Sequence, residues 1–109
     1  MPTTDEAGAP VGRAEIGADA TGVPIIKLTG EIDLSNADSV RAVIESTVSS
    51  APERIVFDLS GLAFLDSSGI ALLLYVAAKI GFVQVRNPSD IVRRVIEVTG
   101  LSDILHMDA

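Results

Sequence analysis

Two adjacent serines are the residues of this sequence best placed to do chemistry. They stand in the run Asp66-Ser67-Ser68-Gly69, directly before an apolar stretch at 70–80 that predicts a helix. The first backbone N–H groups of a helix have no partner within it and carry a partial positive charge. A serine at this point either caps the helix, which spacing alone favours, or offers a hydroxyl where a phosphate group is tolerated.

A second candidate is the acidic run Gly30-Glu31-Ile32-Asp33, which is explained equally well as a turn with solvated acids or as part of a site. His106, the only histidine, is most simply an ordinary exposed residue. A serine hydrolase would need a base and an orienting acid beside Ser68. Neither a G-x-S-x-G elbow nor a G-x-x-x-x-G-K-[ST] phosphate loop is present. The sequence therefore predicts no catalytic residue, no metal site and no cofactor.

Net charge and hydropathy limit the kinds of molecule that this protein is expected to bind. A net charge of −7 repels the phosphates of nucleic acids and anionic lipids, and it attracts a protein with a basic surface. There is no cysteine, which excludes disulfides and thiolate ligands. The longest apolar stretch, 70–78, is well short of the ~20 residues that a membrane span needs, and the start of the chain lacks signal-peptide features. We therefore expect a cytoplasmic protein that binds neither nucleic acid nor membrane directly.

The elements that must position these residues alternate between strands and helices. Residues 1–12 are predicted to form a disordered tail, because their small residues, prolines and acids have little to bury, and residues 13–109 form one domain. Ser35 and Ser89 are predicted helix caps. The order indicates an α/β fold in which functional groups lie where strand ends meet helix starts. Apolar periodicity predicts strands at 13–16, 23–29, 54–59 and 83–86, a loop at 60–66, helices at 35–49, 67–80 and 89–99, and either a short last strand or a docked tail near 104–105.

Several motifs in order make the sequence similar to a known family. They are LTGEID at 28–33, IVFDLSG at 55–61, FLDSSGI at 64–70, RNPS at 86–89 and VRRVIEVTGL at 92–101. Each is weak by itself, but together they span nearly everything from 23 to 105. In this order they resemble the STAS family, and specifically bacterial anti-sigma factor antagonists.

The resemblance implies a fold and a mechanism. The fold is α/β, with a mixed sheet of about four to five strands and helices packed mainly on one side. Such proteins bind an anti-sigma factor that is also a serine kinase, which frees a sigma factor. The kinase then phosphorylates the second serine of the motif, here Ser68, the complex separates, and a serine phosphatase resets the switch. By the same resemblance, Asp33, Asp66, Ser67 and Gly69 are expected to bind the partner.

One segment departs from the family pattern. The end of the second helix, at 75–82, is more apolar than in typical relatives, and the helix is about one turn shorter. It is either a shortened helix or a further contact surface.

Two other functions compete with the phosphorylation switch. One is a constitutive scaffold subunit of a lipid-transport or signalling complex whose serine is idle, which a kinase assay separates from the switch. The other is a hydrolase built on Ser68, which the missing base disfavours.

Overall fold

Five strands and three α-helices alternate along the chain in the computed structural model, which describes residues 11–107. The alternation agrees with the predicted order. The elements are β1 (Arg13–Ala18), β2 (Pro24–Ile32), α1 (Ala37–Ser49), β3 (Arg54–Leu65), α2 (Ser67–Lys79), β4 (Phe82–Arg86), α3 (Asp90–Val98), a 3-10 turn (Leu101–Asp103) and β5 (His106–Met107).

The strands form one mixed sheet in the order β1-β2-β3-β4-β5. β1 is antiparallel to β2, whereas β2, β3, β4 and β5 are parallel to one another. Each parallel connection contains a helix or turn, as parallel neighbours require. The predicted α/β fold with a mixed sheet is thus confirmed.

The core lies between the helices and one face of the sheet. In β2 the residues alternate, so that Ile26 and Leu28 are fully buried while Lys27 between them is exposed. The other face is polar, and Lys27, Asp58 and Arg86 stand in register across three parallel strands. The backbone N–H of Ser60 is the main cause that holds the pKa of the Asp58 carboxyl below its ordinary value. The sheet therefore has one apolar face for the helices and one charged face for water.

β3 is longer than the sequence predicts. The strand was expected to end at Leu59 and a loop to follow at 60–66, but the strand continues to Leu65. The prediction was wrong because Ser60 and Gly61 are typical of turns, whereas long-range pairing of this segment with β2 keeps it extended. Two register shifts in β2 accommodate the irregular pairing.

The N-terminal segment joins the sheet before β1 begins. Val11 forms a parallel bridge with Glu31, and Gly12 is buried. A Cβ on Gly12 would lie 2.5 Å from the Glu31 carbonyl oxygen, and Gly30 beneath has a positive φ of 78°. Both glycines allow this close crossing of two backbone segments. The tail was predicted at 1–12; two of its residues make these contacts, and residues 1–10 lie outside the described part of the chain.

The helix ends agree in part with the predicted signals. Ser89 caps α3 as predicted, since its Oγ accepts the Val92 N–H at 3.2 Å, and Gly100 follows that helix with a φ of 80°. The second helix was expected to be buried on most sides. It is buried along one face only, and Leu74 is 42% exposed.

Candidate functional site

The serine pair lies in the first turn of α2, and an aspartate caps that helix. The Asp66 side chain accepts the backbone N–H of Ser68 at 2.8 Å. The ordinary explanation of the motif, in which a serine is the cap, is therefore wrong here, because the carboxylate one residue earlier takes the capping position. The cap leaves both hydroxyls unused, with Ser67 exposed and Ser68 half-buried.

The two acidic loops meet because the strands before them are paired. Ile32 and Leu65 are register partners at the ends of β2 and β3, and the Asp66 N–H donates to the Ile32 carbonyl at 3.1 Å. Asp33 and Asp66 come directly after these partners. The structure therefore brings Asp33 and the serine motif together at one edge of the sheet, where the carboxyl ends of parallel strands meet.

Gly69 sets how closely α2 approaches the strand ends. A Cβ at this position would lie 2.7 Å from the Leu65 Cβ and 3.3 Å from the Ile32 Cγ2, and both of those side chains are fully buried. Gly69 is itself buried. Gly69 therefore affects the surface around the serines only indirectly, because its close packing fixes the position of the two serines that precede it.

A network of side chains fixes the loop between β2 and α1. Asp33 Oδ1 accepts the N–H of Ser35 at 2.9 Å and its hydroxyl at 2.5 Å. Asn36 accepts the Asp33 N–H at 3.0 Å and donates to the Glu31 carbonyl at 2.9 Å. The predicted capping by Ser35 is wrong, because its hydroxyl is engaged by Asp33 and α1 begins after Asn36 without a side-chain cap. Leu34 at the tip of this fixed loop is 84% exposed.

A groove between α1 and α2 opens beside Ser68. Its volume is about 230 Å³, and the residues that line it are Leu34, Ala37, Asp38, Arg41, Ser68, Ala71, Leu72 and Tyr75.

Three side chains contact one another near the end of this groove that is away from Ser68. The Arg41 guanidinium lies over the Tyr75 ring, with Cζ 3.9 Å from the ring centroid. The Tyr75 hydroxyl lies 2.8 Å from both carboxylate oxygens of Glu45. These hydrogen bonds, and secondarily one from Ser49, hold the pKa of the Glu45 carboxyl below its ordinary value. The apolar end of the second helix, noted as a departure from the family, thus contains a polar link to α1.

Sequence reasoning missed these groove residues. The i, i+4 spacing of Arg41 and Glu45 could have suggested a pair on one helix face, and the structure has them 3.9 Å apart. Nothing local points to Tyr75, which lies 30 residues from Glu45 in sequence. Asn36 was likewise missed, although Asn is a frequent residue at loop-to-helix junctions.

His106 lies far from the serine motif. It is exposed and stacks on Phe82, with ring centroids 3.9 Å apart, and Phe82 pairs with the first residue of β3. Ser68 follows the last residue of β3, a strand of 12 residues, so the two sites are on the order of 30 Å apart. The histidine is therefore not placed to act as a base for Ser68.

Within residues 11–107 two other kinds of feature, a metal-binding cluster and a membrane-spanning helix, are absent. That part of the chain contains no group of three or more His, Cys, Asp or Glu side chains arranged to hold a metal ion. Among the same residues, no helix is long and apolar enough to cross a membrane. The arrangement at the serine edge is thus a surface with charged, hydroxyl and apolar groups, suited to contact with another macromolecule.

Replacing the cap of α2 is expected to weaken the fold measurably. Asp66→Ala removes the acceptor of the Ser68 N–H, and we expect the free energy of unfolding to fall by about 1 kcal/mol. Asp66→Asn keeps a side-chain oxygen at the same place and should lose less. Urea denaturation of the two variants beside wild type measures the difference. Equal stability of Asp66→Ala and wild type would contradict the capping assignment.

Comparison with known proteins relates the chain to a family. A model of the STAS domain matches residues 18–109. The chain is 38% identical over 88 residues to the anti-sigma-F factor antagonist RsfB of Mycobacterium tuberculosis, a match that covers 77% of this chain and 71% of RsfB.

Solved structures are similar over most of the chain. An anti-sigma factor antagonist from Mycobacterium paratuberculosis superposes with a TM-score of 0.81 at 27% identity, covering 95% of this chain and 88% of that one. The unphosphorylated anti-sigma factor antagonist SpoIIAA gives a TM-score of 0.73 at 26% identity, covering 88% of each chain. The phosphorylated form of the Bacillus cell fate determinant SpoIIAA gives 0.66 at 25% identity, covering 88% of this chain and 91% of that one.

Proposed function

Because the chain belongs to the STAS domain family, we propose that it is an anti-sigma factor antagonist that acts by binding and not by catalysis. Its unphosphorylated form binds an anti-sigma factor that is also a serine kinase, and so releases a sigma factor. Phosphorylation of Ser68 ends the binding, and a serine phosphatase restores it. The place of action is the cytoplasm, where sigma factors work.

The observation that carries this proposal is the meeting of Asp33 and the serine motif at one edge of the sheet. The backbone hydrogen bond from Asp66 to Ile32 joins the two loops directly. A kinase that binds across this edge can contact both loops while its phosphate donor reaches Ser68. In this proposal Asp33, Asp66 and Ser67 contact the partner, and Gly69 positions them.

The character of the surface supports a protein partner. Leu34 is 84% exposed beside the acids of the loop, and a large apolar side chain within a polar rim is typical of protein interfaces. The net charge of −7 favours encounter with a basic surface and opposes direct contact with nucleic acid. The partner is therefore expected to present basic residues to Asp33 and Asp66.

Phosphopeptide mapping tests the proposed switch. The purified protein is incubated with ATP and an anti-sigma factor kinase encoded in the same genome, beside the matched variants Ser67→Ala and Ser68→Ala. We expect phosphate on Ser68 in wild type and Ser67→Ala, and none in Ser68→Ala. Phosphate only on Ser67 would move the site by one residue. Binding without phosphorylation at either serine would favour the constitutive scaffold with an idle serine.

Removing the charge of Asp33 is expected to weaken the complex. Asp33→Asn keeps an oxygen for the hydrogen bonds from Ser35, whereas Asp33→Ala would also loosen the loop, so the asparagine variant isolates the charge. We expect affinity for the kinase to fall by roughly 5- to 30-fold, the effect of about 1–2 kcal/mol. Calorimetric titration measures the affinity, and a thermal melt checks the fold. Unchanged affinity would remove Asp33 from the interface.

A further inference from the structure

The groove between α1 and α2 brings one cation to the same cleft as Ser68. The two helices follow neighbouring parallel strands, so they run in the same direction side by side. Asp38 and Ser68 lie in the first turns of their helices, and Arg41 is less than one helical turn beyond Asp38. Arg41 and Ser68 both line the groove. A group that projects from Ser68 into the groove therefore enters the cleft that the Arg41 side chain also lines.

The contacts that hold Arg41 in place are weak enough to exchange. Its pairing with Glu45 is a single 3.9 Å approach, and the two side chains are 49% and 44% exposed. Exposed pairs of this kind contribute little, and the guanidinium over the half-buried Tyr75 ring adds a modest cation–π attraction. Lys79 lies on the other helix with its Nζ 5.7 Å from the Tyr75 centroid, so a second cation stays near Tyr75 and Glu45 if Arg41 leaves.

We propose that Arg41 is the residue of this chain that binds a phosphate on Ser68, and that it leaves the Tyr75 ring to do so. This inference rests on the assignment of Ser68 as the phosphorylated residue. A phosphoserine offers three acceptor oxygens and a charge of about −1.5 to −2, which a planar guanidinium matches with two parallel hydrogen bonds. Asp38 lines the groove and Asp66 caps the helix that carries Ser68, so both carboxylates repel the phosphate, whereas Arg41 is the one cation among the described residues that line the groove.

The exchange changes the shape of the surface as well as its charge. With Arg41 on the phosphate, the two helices are bridged across the groove mouth, and the Tyr75 ring loses the cation that covers it. A partner that uses the groove would then meet a filled cleft and an altered aromatic face. The phosphorylated state is thus recognisable to a phosphatase and unsuited to the kinase for a structural reason beyond repulsion.

Nuclear magnetic resonance on the full chain tests this without any kinase. Phosphoserine is placed at position 68 during translation, in wild type, in Arg41→Gln and in the matched control Arg94→Gln, whose arginine is exposed on α3. In a 31P titration we expect the second pKa of the phosphate to be lower in wild type than in Arg41→Gln by roughly 0.5–1 unit, because a neighbouring cation favours the dianion. Arg94→Gln should titrate as wild type does.

A second readout follows the release of the ring. Tyr75 is the only tyrosine of the chain, so its ring protons are assigned without ambiguity. Proton–proton contacts between the Arg41 side chain and the Tyr75 ring should be present without phosphate and lost with it. Identical phosphate titrations in wild type and Arg41→Gln, or a ring contact that persists in the phosphorylated chain, would overturn the proposal. Because the phosphoserine is encoded, neither result depends on whether the kinase modifies Ser68.

Discussion

Phosphorylation of Ser68, or the substitution Ser68→Asp, is expected to lower affinity for the anti-sigma factor kinase at least tenfold while the protein stays folded. Tenfold corresponds to only ~1.4 kcal/mol. The edge already carries the charges of Asp33 and Asp66, and a phosphate adds about −1.5 to −2. The basic residues expected on the partner lie opposite Asp33 and Asp66 and are already paired with them, so a charge at Ser68, where the partner surface is matched to a hydroxyl, is buried without a counter-charge.

The fold is expected to survive this change because of where the charge is added. Ser68 is half-buried in the first turn of α2, where the partial positive charge of the helix favours an anion by roughly 0.3–1 kcal/mol. The nearby Asp66 carboxylate opposes part of that gain. Since Asp66 and not Ser68 caps the helix, the serine hydroxyl can be modified without loss of the cap. We therefore expect the melting temperature to change by no more than a few degrees.

The measurement pairs a binding titration with a circular dichroism melt. Ser68→Asn is the matched control, because asparagine has the shape of aspartate without its charge. We expect Ser68→Asn to retain most of the affinity that Ser68→Asp loses. If Ser68→Asp binds as tightly as wild type, charge at this position is not the switch. If the aspartate variant unfolds, the hydroxyl has a structural function that the geometry does not reveal.

The substitution Gly69→Ala is expected to cost roughly 1–3 kcal/mol of unfolding free energy, the usual effect of overpacking a dense core. The added methyl would lie 2.7 Å from the Leu65 Cβ, closer than carbon atoms can approach. It would also lie 3.3 Å from the Ile32 Cγ2, which leaves it little room to shift. Alanine is favoured over glycine within helices by about 1 kcal/mol, which acts in the opposite direction and tends to reduce the net loss.

A matched glycine distinguishes packing from backbone effects. A Cβ on Gly81, just after α2, has nothing within 4 Å, so Gly81→Ala should leave stability unchanged or slightly raised. Urea denaturation of both variants gives the comparison. Partner affinity should also fall in Gly69→Ala, since α2 must move away from the strand ends and carry Ser68 with it. A Gly69→Ala variant as stable as wild type would show that α2 can shift at little cost.

Features that depend on neighbouring residues in sequence were predictable. The continuous apolar run of β3, the alternation in β4 and the cap of α3 by Ser89 all follow from local patterns, and each is present. The order of strands and helices then placed both acidic runs at strand-to-helix junctions. That reasoning was sufficient to select the edge of the sheet at which Asp33 and Ser68 lie.

Features decided by competition between several candidate groups were not predictable. Ser35 and Ser68 both carry the residue type of a helix cap, yet Asp33 engages the first and Asp66 replaces the second. The residues after Leu59 look like a loop until their pairing with β2 is known. The link from Tyr75 to Glu45 joins two helices that no local pattern aligns. For the serines a neighbouring carboxylate takes the place of the expected cap, and in the other two cases a local preference is outweighed by a partner that only the folded chain supplies.

The crossing of Val11 over Glu31 has a practical consequence for anyone who attaches a tag or a reporter. Glu31 is two residues before Asp33, so a fusion joined directly to Val11 would start beside the edge proposed to bind the partner and would obstruct it. Met107 pairs with Val85 on the sheet margin remote from β1, level with Phe57 near the start of β3. A label attached behind Met107 starts several strand widths away, at roughly 5 Å per strand. Immobilisation through that side is the orientation that leaves the serine surface accessible.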